Sequence, residues 1–205
     1  GPREKIERRI GEKLFLKGER SHSQKSAVTK KPYPPGIHSK RFNKPSEFAQ
    51  QLRSKQKVRN IYRLMEKQFK GYVKKILHSK QEPYEALLRT LEGRLDNIVF
   101  RTGFAQSRDQ ARQIVGHGHI LVNKRKVNIP SYAVRVGDMI AIRDGSRGTT
   151  YFSALMPQWL KNYQAPEWIL LDKDAFTATV QQYPTLDQSG IKAEDVQAII
   201  EYYSR

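Results

Sequence analysis

Cysteine is absent from the 205-residue sequence. Disulfide bonds and thiolate metal sites are therefore excluded, which is consistent with a reducing cytosol. Long hydrophobic runs are absent as well, since no stretch approaches the roughly 20 apolar residues that a membrane-spanning helix needs. Hydrophobic residues make up only 38% of the chain, so we expect modest cores in one large domain or two small ones. The expected location is cytoplasmic, with an organelle left open as the alternative.

Acidic residues are scarce. The chain has 20 of them against 38 lysines and arginines, for a net charge of +18. Residues 1–90 carry 24 basic against 8 acidic side chains, whereas residues 148–205 carry 4 against 7. So uneven a distribution favours a polyanionic partner, with nucleic acid as the first candidate. An anionic membrane would require a basic amphipathic anchor with an aromatic and leucine face, and the sequence shows none.

Catalytic signatures are missing too. The sequence contains no Ser-His-Asp order, no G-x-S-x-G, no Walker A motif and no G-x-G-x-x-G. His117 and His119 offer two zinc ligands where a site needs three or four. Asp96, in "GRLD", resembles the catalytic aspartate of some pseudouridine synthases, but a structural acid paired with a nearby arginine is the favoured interpretation. We therefore expect no enzyme, no metal, no cofactor and no small-molecule substrate.

Residues 1–45 are rich in Lys, Arg, Ser, Pro and Gly. Such a segment buries too little apolar surface to offset the entropy of ordering, so we expect a basic N-terminal arm that becomes ordered on a partner. Phe15, Tyr33 and Phe42 are candidates for stacking or packing there. The cations of the arm that we assign to nucleic-acid binding are Arg3, Lys5, Arg9, Lys40 and Arg41.

Residues 46–93 predict a helical domain. Ser46 is a candidate N-cap, and apolar residues then recur at helical spacing. The polar positions are almost all of one sign, although a solvated helix normally mixes signs. An RNA- or DNA-facing surface therefore explains them better than a solvated one. The residues assigned to this surface are Arg53, Lys55, Gln56, Lys57, Arg59, Arg63 and Lys67.

Residues 94–147 predict a compact module of two helices followed by a β-hairpin. Ser107 with Gln110 forms a capping-box pattern, and "HILVN" and "GDMIAIR" indicate strands. Arg94 and Arg101 are seven residues apart and Arg108 and Arg112 are four apart, so each pair shares a helix face. We expect these arginines and the hairpin to converge on one nucleic-acid surface. The assigned residues are Arg94, Arg101, Arg108, Arg112, His117, His119, Lys124, Arg125 and Lys126.

Two features of the module stay open at the level of sequence. His117 and His119 are either polar residues of a loop or donors near a phosphate or a stacked base. Asn123-Lys124 would place a lysine in the left-handed region of a tight turn, at a cost of about 1 kcal/mol. Either the loop is longer than two residues, or contact with a ligand offsets the strain.

Residues 148–205 are less basic. "PEWILLD" and "FTATVQQYP" predict strands and "AEDVQAIIEYYSR" a C-terminal helix. We expect this region to pack on the helical domain of residues 46–93. The helices and strands predicted along the chain indicate an α+β fold class.

Three long motifs resemble one protein family: "QLRSKQKVRNIYRLMEKQF" (51–69), "LEGRLDNIVFRTGF" (91–104) and "SRDQARQIVGHGHILVNKRKVNIPSY" (107–132). They are similar to those of bacterial small-subunit ribosomal protein S-four, in order and over nearly the whole chain. The resemblance implies an α+β fold with a mostly helical N-terminal domain and an inserted RNA-binding module. The sequence departs from the family pattern in three places. It has no cysteines for the zinc that some relatives carry, it has "PGIHS" (35–39) for "PGQHG", and Lys124 stands where glycine usually follows "VN".

This resemblance implies a structural protein that binds small-subunit ribosomal RNA at a junction of the 5′ domain and nucleates assembly of the subunit body. It also implies contacts with ribosomal protein S-five and other small-subunit proteins, a role in translational accuracy, and a position near mRNA where it enters the subunit. Two rivals remain: an RNA-modifying enzyme or other RNA-binding factor that uses the same module, and a basic DNA-binding protein.

Overall fold

The computed structural model describes residues 2–37 and 44–204. The chain forms two compact units, one from Gly1–Leu87 with Gly190–Arg205 and the other from Leu88–Ser189. This division differs from the expected one. The expectation placed all of residues 148–205 with the helices of residues 46–93, whereas only the last helix lies in that unit.

The first unit is helical in the part that the structure describes. Its helices are α1 (Arg3–Ile10), α2 (Glu19–His22), α3 (Ala27–Lys30), α4 (Glu47–Ile61), α5 (Glu66–Leu77) and α12 (Ala193–Ser204), and α6 (Pro83–Glu92) begins in it. The predicted cap at Ser46 is confirmed, because its Oγ accepts a hydrogen bond from the backbone N–H of Ala49 at 3.2 Å. The helix that follows therefore begins where the sequence indicated.

The core of this unit lies where α12 packs against α4 and α5. Val58 of α4, Phe69 and Val73 of α5, and Val196 and Ile199 of α12 are all buried. α4 contributes Val58 among buried polar side chains (Gln51, Lys55, Lys57 and Asn60), whereas the buried apolar positions of α5 and α12 repeat at helical spacing and form one face of each helix. Burial of that face fixes which side of α5 points to solvent.

The N-terminal segment is folded, contrary to the expectation of an arm that awaits a partner. Residues Ile10, Leu14 and Leu16 form a small buried cluster. The Glu7 carboxylate is buried beside them and accepts the backbone N–H groups of Leu14 and Leu16 at 3.1 and 3.3 Å. Composition averaged over 45 residues hid these few apolar side chains. Phe42 lies outside the described residues.

The second unit combines helices with one sheet. Its elements are the end of α6, α7 (Leu95–Arg101), α8 (Arg108–Gly116), β1 (Ile120–Val122), β2 (Arg125–Lys126), β3 (Met139–Ile142), α9 (Asp144–Arg147), a π-helical segment (Tyr151–Leu155), α10 (Met156–Leu160), β4 (Ile169–Asp172), β5 (Thr177–Val180) and α11 (Leu186–Ser189). The helices and strands predicted over residues 94–142 are present, and Ser107 caps α8 through the backbone N–H of Gln110.

The five strands form an antiparallel sheet in the order β2-β1-β3-β5-β4. Ile140 of β3 pairs with Ala178 of β5, and this pairing draws residues 169–180 into the second unit. Ile120, Val122, Ile140, Ile142, Ala178 and Val180 alternate along their strands and are buried. They share one core with Leu95, Ile98 and Val99 of α7.

The fold class is α+β, as predicted, with one mainly helical unit and one that contains the sheet. Within residues 2–37 and 44–204, none of the helices has the length and apolar character needed to cross a membrane.

Candidate nucleic-acid interface

The β1–β2 hairpin presents three neighbouring cations, Lys124, Arg125 and Lys126, which we call the hairpin tip. Val122 pairs with Arg125, so Asn123 and Lys124 form a two-residue turn. Their φ angles are 49° and 66°, as a type I′ turn requires. The alternative of a longer loop is therefore wrong, and Lys124 occupies the left-handed region that disfavours a β-carbon.

Asn123 anchors the turn through its side chain. Its Nδ2 donates to Asp138 Oδ1 at 2.7 Å, and its Oδ1 accepts from the backbone N–H of Met139 at 2.9 Å. Asparagine tolerates positive φ better than most residues, so only Lys124 adds strain. The three cations of the tip are all exposed, and the Asn123 side chain anchors the turn that carries them.

Lys126 also reaches back toward the start of β1. A β-carbon built on Gly118, whose φ is +74°, would lie 2.3 Å from Lys126 Cε. The alkyl chain of Lys126 therefore lies across the bare backbone of Gly118, between His117 and His119. Glycine at position 118 allows both the positive φ between α8 and β1 and the close approach of the Lys126 side chain.

His117, His119 and Arg143 form the base of the hairpin. The Arg143 backbone N–H donates to the His119 carbonyl at 2.9 Å, and His119 Nδ1 lies 2.9 Å from Ser146 Oγ. Burial lowers the pKa of His119, and the positive groups of His117, Arg143 and Lys126 lower it further. His119 is accordingly neutral at pH 7, while Arg143 and Lys126 supply positive charge that favours an anion.

Arg143 was not among the residues predicted from the sequence. A signal for it exists, because Ile142 pairs with Ile120, so the residue that follows β3 must lie beside His119. The β1–β3 register is set by tertiary pairing, however, and alternation alone does not specify it.

Arg94 and Arg112 converge on Asp96. Arg94 donates from Nε to Asp96 Oδ1 at 3.0 Å and from Nη2 to Oδ2 at 2.8 Å. Arg112 donates from Nε and Nη2 to the same Oδ2 at 2.9 and 2.8 Å. The interpretation of Asp96 as a structural acid is confirmed, and Arg94, only 4% exposed in its side chain, does not lie on the expected surface. The Arg112 side chain is 32% exposed, so it remains partly accessible to solvent.

Arg101 and Arg108 belong to a second polar network. Arg101 donates from Nε and Nη2 to the two carboxylate oxygens of the fully buried Glu92 at 3.0 and 2.7 Å. Asn97 donates to Glu92 at 2.7 Å and accepts from Arg108 Nε at 2.8 Å. The Arg108 guanidinium lies over the Phe100 ring at 4.5 Å. The helix arginines therefore converge on acids and amides inside the unit rather than on a common exposed face.

Three of the expected cations of α4 are also engaged within the first unit. Lys55 is buried and pairs with Glu66 at 2.9 Å. Lys57 is buried and pairs with Glu12 and Asp195 at 2.7 and 2.8 Å. Burial by itself lowers the pKa of Lys57, but its hydrogen bonds to the two carboxylates outweigh that effect and raise it. Arg59 Nη1 lies 3.3 Å from Glu66. These side chains stabilise the helix packing.

The remaining expected residues of the first unit fall into three groups. Exposed ones are Lys5, Arg9, Arg53 and Lys67, and half-buried ones are Arg3, Gln56 and Arg63. Lys40 and Arg41 lie outside the described residues. Lysines that the sequence placed on the polar side of α5 without assigning them to the interface, Lys70, Lys74 and Lys75, are exposed as well. Among residues 2–37 and 44–204, no group of three or more His, Asp or Glu side chains is arranged to hold a metal ion.

Comparison with known proteins gives matches along nearly the whole chain. Residues 1–92 match the family described as Ribosomal protein S4/S9 N-terminal domain. Residues 93–140 match the family described as S4 domain. The two matches are contiguous and follow the order of the motifs.

Relatives that match over nearly the whole chain are named as proteins of the small ribosomal subunit. A protein of Syntrophomonas wolfei, named Small ribosomal subunit protein uS4, is 48% identical over 200 residues, which cover 97% of this chain and 94% of the relative. A protein of the same name from Thermotoga maritima is 43% identical over 205 residues, covering 100% and 98%. Small ribosomal subunit protein uS4A of Symbiobacterium thermophilum is 45% identical, with the same coverage.

Proposed function

Because this chain belongs to the uS4 family of small ribosomal subunit proteins, we propose that it binds the RNA of the small subunit. The family consists of ribosomal proteins and not enzymes, and the RNA-modifying alternative is set aside. The proposed site on the RNA is the junction of the 5′ domain, which the protein binds early so that the subunit body assembles around it in the cytoplasm.

The main support for this proposal is that some basic side chains pair with acidic residues of the protein, whereas others are exposed to solvent. Arg101 of α7 and Arg112 of α8 pair with buried carboxylates, whereas the three cations of the hairpin tip are exposed to solvent. Exposed, like-charged side chains on rigid elements suit phosphate groups, which supply most of the affinity for nucleic acid. A-form RNA hides its major-groove edges, so such a surface recognises the shape of a junction.

Affinity measured at several salt concentrations tests the proposal. We expect strong preference for a 5′-domain fragment of small-subunit ribosomal RNA over transfer RNA and duplex DNA, retained at physiological salt. Equal affinities that vanish together, at the slope given by counterion release alone, would identify a generic polycation and contradict it. Comparable affinity for duplex DNA would favour the DNA-binding rival.

We further propose contacts with ribosomal protein S-five that contribute to translational accuracy, and a position near mRNA where it enters the subunit. Family resemblance is the basis of both. One structural feature supports a protein partner: β4 is an outermost strand of the sheet, and its Leu170 is 60% exposed. Outermost strands offer unpaired backbone groups to a partner.

Leu170→Lys tests the contact with S-five. We expect about a tenfold weaker complex between the two purified proteins, because a buried leucine anchor is worth over 1 kcal/mol at an interface. Leu155→Lys is the matched control, since Leu155 is 46% exposed but not on the sheet edge. Titration calorimetry that gave the same affinity for wild type and Leu170→Lys would place S-five elsewhere.

A further inference from the structure

Within residues 2–37 and 44–204, nothing packs against the glycine in the middle of α5 closely enough to require the absence of a side chain. Gly71 lies in a helix of 12 residues, Glu66–Leu77, and an internal glycine costs a helix about 1 kcal/mol relative to alanine. Its φ is not positive, and a β-carbon built there would meet nothing within 4 Å. Alanine would therefore fit and stabilise the helix.

Three other glycines, in contrast, are required by a close contact or by a positive φ. A β-carbon on Gly93 would lie 2.7 Å from the Arg89 carbonyl oxygen, and one on Gly103 would lie 2.5 Å from the Tyr163 ring. Gly118 has a φ of +74°. Among the described residues, Gly71 alone is a glycine in the interior of a helix longer than one turn.

The surroundings of Gly71 are positively charged. Lys67, Lys74 and Lys75 lie four residues before, three after and four after it, so they are its neighbours on the helix surface. All three are exposed. Phe69 and Val73 are buried on the opposite side. Gly71 is thus the centre of a solvent-facing basic surface, which we call the α5 lysine face (Lys67, Gly71, Lys74 and Lys75).

Negative charge is absent from this face. Glu66 is the one acid of α5, and its carboxylate is held by Lys55 and by the Tyr203 hydroxyl at 2.9 and 2.7 Å. Within the described part of the chain, no carboxylate forms an ion pair with Lys67, Lys74 or Lys75. Neighbouring like charges destabilise a helix, so an anionic ligand on this face would relieve their repulsion.

We propose that the α5 lysine face binds the sugar-phosphate backbone of RNA, which approaches the helix at Gly71 while the surrounding lysines contact phosphates. Absence of a side chain lets another backbone come closer, which is the common use of glycine at ligand sites. Repeated phosphates complement several lysines at once. This inference rests on the proposed function and adds Gly71, Lys74 and Lys75 to the interface.

Gly71→Ala tests the proposal because stability and RNA affinity should move in opposite directions. We expect the melting temperature of the full-length protein to rise by about 2–4 °C. We expect the affinity for the 5′-domain RNA fragment to fall about tenfold, since the added methyl group keeps the backbone away from the lysines. Gly148→Ala is the control, because Gly148 is exposed, is open to a β-carbon and lies far from α5 in the chain; it should leave RNA affinity unchanged.

If Gly71→Ala binds the ribosomal fragment within twofold of wild type, and wild type still selects that fragment, the α5 lysine face does not contact RNA. The proposed function would then remain intact. If wild type does not select that fragment, the function fails, and the lysine face stands only if Gly71→Ala weakens binding to unselected RNA. If Gly71→Ala keeps the RNA affinity of wild type but binds polyglutamate more weakly, the face binds an acidic protein instead, and the proposal is overturned.

Discussion

Replacing Asp96 by asparagine is expected to destabilise the second unit by about 3–5 kcal/mol, because it leaves a buried guanidinium without its counter-charge. Asp96 is 2% exposed and receives four donors from Arg94 and Arg112. Asparagine has nearly the same volume, so packing is preserved while the charge is lost. Urea unfolding of the two proteins, monitored by circular dichroism, gives the difference in free energy.

Two further variants separate this cause from others. Asp144→Asn removes an acid that is 90% exposed and lies 3.2 Å from Arg147, and it should cost at most about 1 kcal/mol. Arg94→Met combined with Asp96→Asn removes the buried charge together with its partner, and should be more stable than Asp96→Asn alone. A loss below about 1 kcal/mol for Asp96→Asn would contradict the view that Asp96 organises these arginines.

Replacing all three cations of the hairpin tip by glutamine is expected to weaken binding to the 5′-domain RNA about a hundredfold at physiological salt. The slope of log affinity against log salt should become shallower by about 2 to 3, as expected for three lost phosphate contacts. Folding stability should not fall, because Lys124, Arg125 and Lys126 are exposed. Filter binding at four salt concentrations measures both quantities.

Single substitutions sharpen this test. Lys124→Gly relieves the positive φ of 66° and should stabilise the protein by about 1 kcal/mol while removing one phosphate contact. Lys161→Gln and Lys192→Gln, at exposed positions outside the expected interface, serve as charge-matched controls and should leave RNA affinity unaltered. An unchanged salt slope in the triple variant would show that the hairpin tip does not contact phosphates.

Local features were predictable from sequence because their causes lie within a few residues. Ser46 and Ser107 cap helices through groups three residues away. Alternating apolar residues predicted β1 and β3. The Asn123-Lys124 dipeptide was recognised as a possible tight turn, and both residues have the positive φ angles of such a turn. The family followed from motifs long enough to make chance similarity improbable.

Some structure depended on contacts that composition does not reveal. Residues 1–45 were expected to form an arm that becomes ordered on a partner, yet the Glu7 carboxylate and the apolar side chains of Ile10, Leu14 and Leu16 hold residues 7–16 together. β4 and β5 were expected beside the helices, but β5 pairs with β3. Strand partners are chosen by register and packing along the whole sheet.

Family, fold class and the excess of positive charge could be read from the residues alone. Which cations are available to a ligand depends on the folded arrangement. Lys57 pairs with Asp195, and Arg112 pairs with Asp96, whereas the hairpin tip and the α5 lysine face remain in solvent. A side chain's charge is a property of its residue type, but its counter-charge is selected by long-range packing, because burial of an unpaired ion is too costly to persist.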